Sequence, residues 1–346
     1  MRCTVRALLI PLLLVGCGDT THDEEPPETI GIERITFDAL FVVNGASDSV
    51  SVIDASTNEV AGTIELAHGR FPHHLNLSPD KAELLLAVPG ADFSGGHANG
   101  HGGHGGVPGA LLRLDATTGE TLAVAQFEAP NHNGLFVGGE VWTSQMVVDG
   151  EVLVLDSATL ELREVLAAGA YPAEVTLSSD GKYAFAANTF SYDVTVYDAV
   201  TRAIVKTIPV GQAPVGAWAG SNNVMYVDNE RTKDLTAIDA TTLEVVRTYP
   251  LGFTPAMAAM SPDGEVWVTD TDNGMVVFYA VDSDVKLGQV ATAAGAHAIA
   301  FSTDGTAAYI SNQEAGSVTV IDVASHAVTK TIPVGEKPNG MVFRPR

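Results

Sequence analysis

Ten of the 346 residues are histidine, and seven of them could act together. His73 and His74 are adjacent behind Pro72, and His132 and His297 each stand in a similar short motif. His97, His101 and His104 lie in FSGGHANGHGGHGGVPG (93–109), a run that is otherwise almost all glycine. Neutral imidazole is a common ligand for zinc, copper and nickel. Such ions take three or four ligands at ~2.0–2.1 Å. Glycine lets a loop wrap an ion without backbone strain. So glycine-rich a segment holds no helix, and the loop spacings of four and three residues represent reach. The expected ligand set is therefore His73, His74, His132 and His297, with His97, His101 and His104 as a lid or as extra ligands. Glu174 is a candidate oxygen ligand or hydrogen-bonding partner. Met257 could favour Cu(I) through its thioether, although methionine is more often core filling. Copper or zinc is the expected ion. The blander readings are a solvated His-Gly excursion and histidines that cap backbone groups at a strand start. Strand alternation would also send His73 and His74 to opposite sides, leaving one of them in the site.

Such distant residues need a scaffold, and the scaffold is a repeat. FVVNGASDSVSVIDASTNEV from Phe41, FAANTFSYDVTVYDAVTRAIV from Phe185, YVDNERTKDLTAIDATTLEVV from Tyr226 and YISNQEAGSVTVIDVASHAVT from Tyr309 align with one another. Each reads as an apolar strand, a polar turn, an alternating strand ending in Asp, a turn and a further strand. Asp54, Asp115, Asp156, Asp198, Asp239 and Asp322 mark the units. Steps between marks are 41 (115 to 156), 42 (156 to 198) and 41 (198 to 239). The 83 residues from 239 to 322 make two units, with Ala280 near the missing mark. The 61 residues from 54 to 115 make one unit plus about twenty, and the surplus is the His-Gly stretch. The aspartates are expected to be scaffold, bonding the backbone of the turn that follows.

Seven units of about 42 residues predict an all-β fold, a seven-bladed β-propeller with four-stranded antiparallel blades. The first unit starts at its second strand. The C-terminal segment, Lys337 to Phe343, should therefore supply the innermost strand of the first blade and close the ring. The propeller is expected over 34–346, with a loop insertion at 89–109 between the second and third strands of the second blade.

The V-x-V-I-D, T-I-P-V-G and S-P-D-G elements resemble those of the YVTN family of seven-bladed propellers, over about Phe41 to Phe343. The resemblance implies the fold strongly and an activity weakly. It also places the blade-entry residues on one rim. The column after the entry proline reads His73, Asn131, Ala173, Val215, Ala256, His297, Asn339. The next reads His74, His132, Glu174, Gly216, Met257, Ala298, Gly340. These fourteen positions hold four histidines, where chance would give about 0.4 (14 × 10/346). The His-Gly loop emerges on the same face. Pro72-His73-His74 is also similar to a blade entry of nitrous oxide reductase, whose propeller mouth binds a copper cluster through histidines. That enzyme's cupredoxin-like domain has no counterpart here, and fewer entries carry histidine. What the similarity implies is that such a rim can hold a transition metal.

The N-terminus reads as a lipoprotein signal over 1–16: positive charges in MRCTVR, then the short apolar run ALLIPLLLVG. Leu14-Val15-Gly16-Cys17 is similar to a bacterial lipobox, which implies cleavage before Cys17 and its lipidation. Residues 17–33 are an acidic, proline-containing stretch of the kind that forms a flexible tether. The expected location is the bacterial cell envelope, with the outer membrane favoured by Gly18. The only other cysteine, Cys3, leaves with the signal. A mature domain without thiols has no disulfide and no cysteine nucleophile.

Eighteen basic against 42 acidic residues, a net charge of −24, argue against nucleic acid or an anionic lipid surface as partner. No phosphate-binding glycine loop or nucleophile elbow occurs in a strand-turn-helix context, and there is no C-x-x-C-H haem-attachment motif. Asp270-Thr271-Asp272-Asn273-Gly274 resembles part of a calcium loop but reads better as a polar hairpin turn. Glu174 with Asp228 or Asp270 could serve acid-base chemistry if the fold brought them together. His22, His68 and His326 read as surface. The leading expectation is an envelope-anchored monomeric propeller that binds copper or zinc at its mouth. The alternatives are a non-catalytic scaffold for an envelope protein or glycan, and a metal-dependent or lactonase-like enzyme.

Overall fold

The computed structural model describes residues 34–68, 70–96 and 107–346. The signal segment, the tether with Cys17 and His22, and the loop histidines His97, His101 and His104 lie outside the described residues. The described chain is all β. It forms seven four-stranded antiparallel sheets, each ordered from an innermost to an outermost strand.

Six blades are built from consecutive strands, and blade I is shared between the two ends of the chain. Pro338–Arg344 is its innermost strand, followed by Ala39–Asn44, Ser49–Asp54 and Glu59–Glu65. Ala39 pairs with Arg344 and Leu40 with Phe343, which closes the ring as expected.

Second and third strands of each blade are buried on both faces, so they read as nearly continuous apolar runs. Ala39–Asn44 is buried throughout. Leu40 and Val42 turn toward blade VII, and Phe41 and Val43 turn toward blade II. Seven such interfaces, one between each pair of neighbouring blades, make up the core. Outermost strands have one wet face, and Val60, Val205 and Val246 stand exposed there.

The six marker aspartates hold turns. Asp115 Oδ1 accepts from Thr117 N at 2.7 Å and Thr118 N at 2.9 Å. Asp156, Asp198 and Asp239 repeat this pattern. The residue four places on is left-handed, as at Leu160 (φ 58) and Leu243 (φ 58). Two turns carry a basic residue there that reaches back to the preceding blade. Arg202 grips Glu140, which also accepts from Trp142 Nε1. His326 Nε2 lies 2.9 Å from Glu265, which accepts from Trp267 Nε1 at 3.0 Å. His326 also stacks on Phe278, with ring centroids 4.0 Å apart. It is thus half-covered and joins blades, which is more than a surface histidine does.

Innermost strands share a local break. Pairing shifts register between Pro172 and Val175, Pro214 and Ala217, Pro255 and Ala258, and Ala296 and Ile299. These β-bulges fall on the two columns of blade-entry residues, and a bulge re-aims side chains.

Candidate metal centre

The bulge decides the fate of the histidine pair. His73 N donates to Ala87 O at 2.9 Å, and Ala87 N donates to His74 O at 2.9 Å. Two residues therefore oppose one, and strict alternation is suspended at this point. Both imidazoles turn to the mouth, with ring centroids 4.6 Å apart. The expectation that only one would do so fails for this reason.

His132, from the entry of blade III, joins them. Its ring lies 4.1 Å from that of His73 and 5.1 Å from that of His74. One ligand atom from each of His73, His74 and His132 lies within 4.8 Å of the others, so the trio could hold a metal ion. His297, across the ring in blade VII, sits 5.7 Å from His73 and 6.0 Å from His74 between centroids. It is an outlying member of the same cluster.

Glu174 enters from blade IV and meets two of the trio. Its Oε1 is 3.1 Å from His74 Nε2 and 3.2 Å from His132 Nδ1. Its Oε2 accepts from Asn133 Nδ2 at 3.4 Å. His73 (1% exposed), His132 (1%) and Glu174 (2%) are essentially dry, so their charges and lone pairs must be matched from within. His74 Nδ1 points at blade I, where a methyl group on Gly340 would sit only 2.6 Å away. The entry glycine of blade I makes room for the imidazole of blade II.

Beside the trio is a cavity of about 40 Å³. His74, His132, Glu174 and His297 line one part of it, and Glu230, Thr254, Thr271 and Gln313 line another. No lysine or arginine is among its lining residues. The described root of the His-Gly loop reaches across it. Phe93 packs with Met146, Ala173 and Val215, and its ring lies 5.8 Å from that of His132. Lys337 of blade I pins this root through Asp92 and through Ser94 Oγ at 2.7 Å. A methyl group on Gly96 would come within 3.4 Å of Glu230, on the far side of the mouth.

The remaining candidates fall elsewhere. Met257 lines the channel below the mouth, and its Sδ accepts from Ile299 N at 3.2 Å. Asp270 is held within its own hairpin turn by Asn273 Nδ2 at 2.9 and 3.1 Å. Asp228 is fully buried, and its Oδ1 accepts from Trp218 Nε1 at 2.6 Å and Gly216 N at 3.2 Å. In blades VI and VII, Thr269 and Ser311 do the same for the bulged amides of Met257 and Ala298. In Asp228 the second carboxyl oxygen, Oδ2, is buried without a hydrogen-bond partner. Burial, with the charges of Glu174 and Glu230, pushes this carboxyl well above the usual range against the Trp218 bond. Burial therefore favours the protonated form of Asp228 more than water does.

Two contributors were not read from the sequence, Glu230 and Phe93. Glu230 belongs to the column just after each second strand, with Met146, Thr271 and Gln313. The repeat alignment contains that column, so the signal was available.

No family model matches the sequence, and no curated protein matches it. Solved structures do resemble the fold. The periplasmic gluconolactonase PpgL of Pseudomonas aeruginosa superposes with a TM-score of 0.71 at 20% identity, over 89% of this chain and 99% of that one. A Bacteroides fragilis protein provisionally described as a 6-phosphogluconolactonase gives 0.70 at 15% identity, over 89% and 98%. Dihydro-heme d1 dehydrogenase NirN gives 0.62 at 15% identity, over 91% of this chain and 77% of that one. At these identities the likeness establishes a shared seven-bladed architecture.

Proposed function

We propose that this chain is an envelope propeller of the YVTN type, tethered by lipid on Cys17, that binds copper or zinc at its channel mouth. The observation that carries the metal reading is the convergence of His73, His74 and His132 within 4.8 Å, with Glu174 Oε1 at 3.1 and 3.2 Å from two of them. A tetrahedral ion needs ligand atoms about 3.4 Å apart, which small side-chain rotations supply from this spacing. The carboxylate fixes the orientation of its imidazoles and raises their basicity, as outer partners of metal-binding histidines do. Acidic lining without lysine or arginine favours a cation. Metal analysis of tag-free, chelator-washed and reloaded protein tests this. One equivalent of copper or zinc is expected, lost when His73 and His74 are both changed to Ala. No retained metal in the unmodified protein would leave a tethered interaction scaffold.

A second reading has its own support. The cavity abuts the imidazoles, so an ion there would keep a coordination position facing open space, as catalytic sites do and closed structural sites do not. Turnover of a panel of small lactones, abolished by metal removal and restored by reloading, would establish an enzyme.

A further inference from the structure

Below the mouth, His74 and Glu174 form the roof of a second space, a chamber of about 240 Å³ in the central channel. Its lining includes Ala298, third in its innermost strand, and Ala219, sixth in its own, a span of roughly 10 Å along a strand. Leu135, Leu177, Trp218, Met257 and Met341 supply apolar wall from five different blades.

The side-chain donors of that wall are already committed. Asn76 Nδ2 donates to Gly134 O at 2.7 Å, and Asn133 Nδ2 donates to Val175 O at 2.8 Å. Thr176 Oγ1 donates to Ala217 O. The Trp218 indole N–H points away into Asp228. The lumen therefore meets hydrocarbon, thioether and ring beside polar atoms already engaged as donors, and its ionisable side chains, His74 and Glu174, are at the roof. No lysine or arginine lines the chamber, and Glu174 opposes an anion there.

We infer that this chamber is a binding site for a small uncharged aromatic molecule carrying one hydroxyl, held with its ring among Trp218 and the two methionines and its hydroxyl toward His74 and Glu174. The physical reason is the wall: more of its area is apolar than polar, and a guest that covers Leu135, Leu177, Trp218, Met257 and Met341 removes that area from water. Thioethers and an indole face favour an aromatic guest. The inference does not depend on an ion above the roof.

The test uses chelator-washed full-length protein and 4-fluorophenol, with 4-fluorobenzoate as the charged control. Trp142 and Trp267 are fully buried in blade interfaces, so Trp218 is the tryptophan positioned to report through its emission. Saturable broadening of the 4-fluorophenol fluorine signal is expected, with a matching change in emission and a dissociation constant below a millimolar. The benzoate should bind at least tenfold more weakly. Ala219→Phe and Met341→Phe fill the chamber from different blades, and each variant that keeps the parent melting temperature should weaken binding at least tenfold. Absence of saturable phenol binding, equal binding of the benzoate, or binding unchanged in a folded filled variant would overturn the inference.

Discussion

Glu174 Oε1 lies 3.1 Å from His74 Nε2, which joins the entry of blade IV to that of blade II. The same oxygen reaches His132 of blade III. Three blades therefore meet on one carboxylate atom that is almost wholly removed from water. In so dry a place a carboxylate is retained only where donors or cations match it.

Replacing that carboxylate by its amide tests the match. Glu174→Gln keeps the shape and removes the charge that orients two imidazoles. Copper or zinc affinity should fall by about 10–100-fold, the range seen for outer partners of metal-binding histidines. Competition against a chelating dye measures it. An affinity equal to that of the parent would separate Glu174 from the site.

Asp228 makes the opposite prediction, about stability. Its folded carboxyl lies above its unfolded value, so the folded state holds the proton more tightly. Stability from this group is full below the unfolded range near pH 4 and falls as pH rises toward the folded value. Asp228→Asn keeps the acceptor for Trp218 and Gly216 and removes the ionisation. It should stabilise the protein at pH 8 by on the order of 1–3 kcal/mol and leave it nearly unchanged at pH 4. Thermal melts at the two pH values read this out, and a variant less stable than the parent at pH 8 would refute it.

The contrast between these residues shows what was legible in the sequence. The repeat gave the blade count, the turn aspartates, the shared first blade and the two entry columns, because each rests on spacing that recurs. That His73, His74 and His132 converge followed from the columns and the ring. Side-chain direction did not, because it depends on a bulge that two backbone bonds at Ala87 define. Met257 shares a column with His74 yet lines a different part of the channel, since the column fixes the rim position and not the depth of a long side chain. Glu230 is visible in the repeat but lies in the column after the second strand, away from the entry columns that carry the histidines. Asp228 is legible as a carboxylate, while the upward shift of its titration comes from burial and from the charges of Glu174 and Glu230, which only the fold reveals.

The clasp between blades III and IV has a titration of its own. Burial pushes Glu140 up, but bonds from Arg202 and Trp142 and the charges of Arg202 and Arg163 outweigh it and hold the carboxyl below its usual range. A depressed acid stabilises above its unfolded value and loses that contribution as pH falls through the folded one. Glu140→Gln should therefore cost about 1.5–3 kcal/mol near pH 7. The gap from the parent should close below the ordinary carboxylate range. Denaturant unfolding at pH 7 and at pH 3 tests this, and a constant gap would show that the bond, and not the charge, is what matters.

Closure of the ring can be tested with the chain's own last strand. Ending the chain at Lys337 removes Pro338–Arg344 and bares one edge of Ala39–Asn44, whose Leu40 and Phe41 are fully buried in the intact protein. An open apolar edge is a template for pairing with other chains. The truncated chain should melt well below the parent and should elute partly as aggregate. Adding a synthetic peptide of residues 334–346 supplies the missing strand in trans, and binding to the folded state alone raises stability by mass action. Melting temperature should therefore climb with peptide concentration, while a peptide with Met341 and Phe343 changed to Asp should have no effect. A truncated chain that stays monomeric and melts with the parent would mean that the seven inter-blade cores hold the ring without that seam.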